Sequence, residues 1–376
     1  MISIQVRCIL PSMHTGVFAD AHARSRTKSM NYGTPDINDL SDRERTVLLS
    51  IIEQHVLTAS PVGSRTLSKN IDIQLSPASI RNVMADLEER GLIGHPHTSA
   101  GRIPTDLGYR CYVDSIMQAV VLSDQERRFI DERFASSLNN AVQELIRNSS
   151  HILSQITHQL AIVSAPSLGK GVLQRIELVP VASDKLMVIL SIRSGIVKSI
   201  ILQLRSEIVQ REQIENIAAL LNEQLVGLTL TEIRETFADR VRDAGGPDDG
   251  IIRLFIESSD RVFSERLDPD AVCIDGMNTV TRQPEFGDPE RLRNIIELVE
   301  NQRIIVYVLD TISGGQSLTI RIGREINDEK LCEYSIIAAP YRFGQLNGTL
   351  SIVGPRRMNY PQMIAIVDYL AKLISQ

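Results

Sequence analysis

The stretch Ser76-Pro77-Ala78-Ser79-Ile80-Arg81-Asn82-Val83-Met84-Ala85-Asp86-Leu87-Glu88-Glu89-Arg90-Gly91 is punctuated as a complete helix. Ser76 can cap the free amides, and Pro77 suits the first helical position, where its missing N–H costs nothing. Gly91 supplies a left-handed stop. Ile80, Val83, Met84 and Leu87 recur at the spacing of one buried stripe. A step of about 100° per residue sends Ala78, Arg81, Asn82 and Ala85 to the opposite face, toward the N-terminal end. A guanidinium, an amide and two methyl groups are the chemistries that read guanine, adenine and the thymine methyl in a major groove. The stretch therefore reads as a recognition helix, with Ser76 and Ser79 at its entry. Base contact is expected of Arg81 and Asn82; phosphate contact or plain solvation is the alternative.

The flanks fit that reading. Ser41-Asp42-Arg43-Glu44 is a capping box opening a helix with Leu48, Ile51, Ile52 and Val56 on one face. After a turn at Ser60-Pro61, a short segment from Gly63 to Asn70 buries Leu67 and leaves Ser64, Arg65 and Lys69 outside. Three helices joined by short turns match a helix-turn-helix layout. Beyond Gly91, two short apolar pieces flank a small, polar tip, which predicts a hairpin-like wing. Thr98, Ser99 and Arg102 there suit phosphate oxygens. His95 and His97 lack a Cys or carboxylate at ligand spacing, so no metal is expected. A helix is expected from Thr105 to Val121, with Tyr109, Tyr112, Val113, Ile116 and Val120 inward. Arg65, Lys69, Arg81 and Arg102 fall on the segments assigned to DNA. Asp42, Glu44, Glu53, Glu88 and Glu89 fall on the first helix or at the far end of the recognition helix.

A net charge of −6 excludes indiscriminate coating of nucleic acid but leaves room for such a local basic face. The length of 376 residues allows two or three domains. Cys8, Cys111, Cys273 and Cys332 lie far apart without metal-type spacing and read as reduced residues of a cytosolic protein. No apolar run approaches the roughly 18 residues of a membrane span. Residues 1–39 carry little pattern and read as a disordered tail or a start placed too early, upstream of Met30.

A second capping box, Ser123-Asp124-Gln125-Glu126, marks a domain boundary and opens a helical stretch to about Val163. Strand-like runs at Val172–Val181, Lys185–Ile192 and Ile196–Leu204 suggest an antiparallel meander. Glu207 to Leu267 reads as helical, with a loop at Gly245–Gly250. Strands return at Ala271–Ile274, Ile304–Leu309 and Leu318–Ile322, with a helix at Pro289–Glu300. Glu333–Tyr341 and Thr349–Val353 form a closing pair before a final helix, Tyr360–Ile374. A sheet interrupted by a helical block suggests one α+β domain with another inserted into it. No Walker loop, dinucleotide fingerprint or local triad signature is present. No catalytic residue or enzyme activity is therefore expected, and nothing in the residues names a cofactor.

The residues Pro61-Val62-Gly63-Ser64-Arg65-Thr66-Leu67-Ser68-Lys69, Ser79-Ile80-Arg81-Asn82 and Met84-Ala85-Asp86-Leu87-Glu88 closely resemble the HrcA family of heat-inducible transcription repressors. So do Pro96-His97-Thr98-Ser99-Ala100-Gly101-Arg102-Ile103-Pro104-Thr105, Gly108-Tyr109-Arg110 and Tyr112-Val113-Asp114. A weaker likeness runs to the end, clearest at Val353-Gly354-Pro355 with Arg357-Met358. The resemblance implies a multidomain α+β protein: an N-terminal winged helix-turn-helix, then a GAF-like domain interrupted by an inserted dimerising domain. The expected limits are 40–122 for the winged helix, 123–206 and 286–376 for the two GAF-like parts, and 207–285 for the insert. The implied partners are double-stranded DNA carrying the inverted-repeat operator CIRCE ahead of chaperone operons, a second copy as homodimer, and the chaperonin GroEL. No membrane partner is implied. The competing expectation is a metabolite-responsive regulator with a small-molecule site in the C-terminal domain.

Overall fold

In the computed structural model the described residues are 40–69, 75–96, 101–135, 142–204, 211–243, 250–264, 272–301 and 317–376. They fall into two compact units. The first joins the residues up to Ala119 to two short segments, Ile322–Arg324 and Arg356–Pro361. The remainder forms the second.

In the first unit, helix α1 (Asp42–Thr58) opens on the expected capping box and buries Val47, Leu48, Ile51 and Ile52. One turn, α2 (Ser64–Leu67), buries Leu67. Helix α3 (Pro77–Glu89) begins at Ser76 with Pro77 in its first turn, and buries Ile80, Met84 and Leu87. Gly91 follows with φ +73°. Strands β1 (Ile93–Gly94) and β2 (Ile103–Pro104) pair antiparallel. Helix α4 (Asp106–Cys111) passes into a π-turn at Tyr112–Ile116 and stops there. The helix expected to reach Val121 is thus shorter: the π-turn breaks the periodicity, and Val120 and Val121 are exposed rather than inward.

The two late segments close this unit. Arg356 Nη1 donates to Asp106 Oδ1 at 2.6 Å, and the Arg324 amide donates to Asp106 Oδ2 at 3.2 Å. Gly323 sits against that carboxylate at φ +56°, where a Cβ would lie 2.3 Å from Oδ2, so a side chain is excluded. Arg357 donates to the Val56 carbonyl. Tyr360 packs on Tyr109 with ring centroids 5.8 Å apart, and the Tyr109 hydroxyl meets His55 Nδ1 at 2.8 Å.

The second unit begins with α5 (Asp124–Ala135) and α6 (Val142–Thr157). Ser123 and Glu126 exchange both capping-box bonds. Residues expected to finish the helix instead form β3 (Leu160–Ser164), which buries Leu160 through Val163. Strands β4 (Leu173–Ala182), β5 (Lys185–Ile192) and β6 (Val197–Gln203) form the expected meander as a separate three-stranded sheet. Helices α7 (Arg211–Leu225), α8 (Leu230–Asp243), α9 (Gly250–Glu257) and α10 (Ser259–Val262) share its core: Ile176, Val188 and Leu202 lie in one cluster with Leu221, Phe237 and Phe255.

Strand β7 (Val272–Asp275) and helices α11 (Met277–Val280) and α12 (Pro289–Glu300) follow. Strands β8 (Thr319–Ile322), β9 (Tyr334–Phe343) and β10 (Leu346–Pro355) lead to α13 (Tyr360–Ile374). The five-stranded sheet runs β7-β3-β10-β9-β8. Ile295 and Leu298 of α12 cover the face carrying Leu160, Ile162, Ile336 and Ala338. Leu145 and Ile146 of α6 and Ile374 of α13 meet Val163 and Tyr341 on the other. Cover on both faces explains the nearly unbroken burial of β9 and β10.

Hydrophobic cores therefore divide the chain elsewhere than the expected 207–285. Strands β4–β6, expected with the first α+β part, pack with the helical block. Strand β7 and α11, expected in the insert, belong to the five-stranded sheet. Period-two alternation identifies a strand but not its neighbour. The strand expected at Ile304–Leu309 and the loop at Gly245–Gly250 lie wholly or largely outside the described residues.

Candidate nucleic-acid interface

Helix α3 presents its two faces as the periodicity requires. Opposite the buried stripe, Ala78, Ser79, Arg81, Asn82 and Ala85 are exposed; Val83, expected inward, is half-buried. Ser76 and Ser79 are exposed and already engaged: the Ser76 hydroxyl accepts from the Ser79 amide at 3.1 Å, and their hydroxyls lie 2.9 Å apart. That cap holds the first turn open-ended toward solvent. Further along, the exposed positions are Asp86 and Glu89. The outward face is thus cationic and small in its first half and acidic in its second. Only the first half can approach a polyanion without repulsion.

Arg65 on α2 and Lys69 just after it are exposed, and Ser64 is half-buried. Thr98 and Ser99 lie outside the described residues, as does His97. Arg102 is half-buried and already engaged: its Nε and Nη2 donate to Glu88 Oε2 at 3.0 and 2.8 Å. Its backbone pairs both ways with Val62, at 2.8 and 2.9 Å, next to α2. Gly101 permits this approach, since a Cβ there would fall 2.7 Å from Pro61 Cβ and 2.8 Å from its carbonyl carbon.

The far end of α3 is anchored to α1. Arg90 Nε lies 3.1 Å from Glu44 Oε1, while Glu44 Oε2 accepts from the Ser41 amide at 2.8 Å. Burial would raise the Glu44 carboxyl, but the Ser41 hydrogen bonds and the Arg90 charge outweigh it and hold it below the usual carboxylate range. Burial of the Tyr112 phenol, reinforced by Glu53, pushes it up to about 12.

Residues 143–364 match the family described as HrcA protein C terminal domain. The heat-inducible transcription repressor HrcA of Prosthecochloris aestuarii is 40% identical over 90% of this chain and 97% of its own length. That of Chlorobaculum tepidum is 39% identical over 92% and 98%. The chain belongs to the HrcA family. Its HrcA relatives are heat-inducible transcription repressors, not enzymes. A crystal structure of a hypothetical protein at 2.2 Å resolution superposes with a TM-score of 0.58 at 26% identity, covering 89% of this chain and 98% of that one. The mixed α+β fold fits this HrcA assignment. No described helix is long and apolar enough to cross a membrane, and the described residues hold no cluster of three or more metal-ligating side chains.

Sequence reasoning located α3 and its outward residues but missed the partners of Glu88, Arg90 and Arg102. The Glu88–Arg102 and Glu44–Arg90 pairs join residues 14 or more positions apart, which no helical or strand period marks.

Proposed function

We propose that this chain represses heat-shock chaperone operons in the cytoplasm by binding, as a homodimer, an inverted-repeat operator of the CIRCE type. In this reading the first unit is a winged helix, the five-stranded domain is GAF-like, and the β4–β6 module with α7–α10 is the inserted dimerising domain. Arg81 and Asn82 read base edges, Ala78 and Ala85 meet thymine methyls, and Ser64, Arg65 and Lys69 hold phosphates. Thr98 and Ser99 do the same from the wing. The GroEL chaperonin keeps the repressor active.

The observation that carries the reading is the outward face of α3, with Ala78, Arg81, Asn82 and Ala85 all exposed above a buried Ile80, Met84 and Leu87, in a chain of this family. An apolar outer row on the β4–β6 sheet, Val179–Met187–Ile201 in register, supports pairing of two copies.

A gel shift on the chain's own chaperone-operon promoter, with and without chaperonin, tests it. The expected result is a shift of the inverted repeat, none of a scrambled duplex, and tighter binding with chaperonin. Equal binding to both duplexes would remove the sequence-specific reading. A metabolite-responsive regulator would instead gain melting temperature with a metabolite and ignore the chaperonin.

A further inference from the structure

Glu88, His95 and Arg102 form a closed triangle between α3 and the ribbon. Arg102 gives two donors to Glu88 Oε2, and its Nη1 donates to His95 Nδ1 at 2.9 Å. A guanidinium cannot accept, so Nδ1 is the acceptor and the imidazole carries its proton on Nε2. His95 Nε2 lies 3.3 Å from Glu88 Oε1. The Arg102 side chain is 19% exposed and that of Glu88 30%, so the pair is partly shielded from water. Arg102 is also the residue whose backbone pairs with Val62 beside α2. Arg102 thus reaches α3 and His95 with its side chain and the approach to α2 with its backbone.

We propose that Glu88, assisted by His95, is a positioning residue for operator binding: it holds Arg102, and through it the ribbon, in register with the reading half of α3. The proposal rests on the DNA-binding reading above. Glu88 touches no base; its carboxylate fixes where the wing meets the backbone relative to where Arg81 meets the bases. Since 3 of the 5 guanidinium donors are spent inside the triangle, Arg102 acts as a brace and not as a phosphate ligand.

The test uses the full chain and two readouts. Without DNA, amide exchange at Val62 and Arg102 in Glu88→Gln should run about fivefold faster, while Leu48 and Ile51 in α1 stay unchanged. Unaltered exchange at Val62 and Arg102 would overturn the brace. With a duplex carrying the promoter's inverted repeat, Glu88→Ala and Arg102→Ala should each bind about fivefold more weakly, the equivalent of ~1 kcal/mol. The double variant should lose no more than the weaker single one, and the salt slope should stay at the wild-type value. Additive losses, with a slope reduced by about 0.9 in Arg102→Ala alone, would make Arg102 an independent phosphate ligand and overturn the proposal. The charge-exchanged pair E88R/R102E should recover part of the lost affinity, since it restores the pair with its signs reversed. If the wild type prefers neither duplex, the DNA-binding reading and the positioning role fall together, while the exchange data still decide whether the brace exists.

Discussion

Two solvent-facing surfaces of this protein carry opposite chemistry. Above α3 the outward side chains are short or cationic: Ala78, Arg81, Asn82 and Ala85. On the β4–β6 sheet the outward row is Val179, a half-buried Met187 and Ile201; Val179, Ile201, Val181 and Val197 are exposed. Both faces are turned to water, yet only the second leaves apolar area unpaid for by burial. Exposure alone does not say what a face is for. A methyl, an amide and a guanidinium can exchange water for base edges, whereas a valine–isoleucine row gains only from another apolar surface.

The contrast can be broken at either face. Ile201→Asp places a charge in the apolar row; we expect monomers in sedimentation and operator affinity reduced about a hundredfold, the scale on which two linked half-sites exceed one. A dimer that survives this change would separate the sheet from self-association. Arg81→Ala should cost about 1–3 kcal/mol on the operator and relax specificity, with little change on scrambled DNA. Equal loss on both duplexes would make Arg81 a phosphate contact. Lys69→Ala should weaken both duplexes alike and flatten the salt slope by about 0.9; an unchanged slope removes Lys69 from the backbone contacts. The smallest effect lies at neither face. Because Glu44 is held below the usual carboxylate range when folded, it contributes stability above that range and loses it as the pH falls through its folded value. Glu44→Gln should therefore lose less stability than the wild type on acidification, by under about 1 kcal/mol. Parallel acid limbs in urea melts would show that the Ser41–Glu44–Arg90 contacts carry no such linkage.

Much of the fold was legible where the code is local. Ser41 and Glu44 announce α1, Ser76 and Pro77 announce α3, and the burial of Ile80, Met84 and Leu87 follows from spacing. Helices Pro289–Glu300 and Tyr360–Ile374 were readable for the same reason. What failed depends on partners distant in sequence. Leu160–Val163 is apolar in either period, and pairing with β10 and β7 makes it a strand. The alternation of Lys185–Ile192 shows one buried face without saying which helices cover it. At the candidate site, the residues of α3 were visible because a helix fixes its own faces. The turning of Arg102 inward was not, because it depends on Glu88 and Val62, each set by a separate turn of chain.

The Asp106–Arg356 clasp joins residues 250 positions apart. At synthesis rates of about 5–20 residues per second, Arg356 follows Asp106 by roughly 12–50 s. During that interval the nascent chain already carries α3 and its outward residues, but Asp106 lacks Arg356, and Tyr109 lacks Tyr360. The first unit is therefore complete only once Arg356 and Tyr360 have been made, and a chain cut short before Arg356 carries α3 without the contacts that close the unit around it.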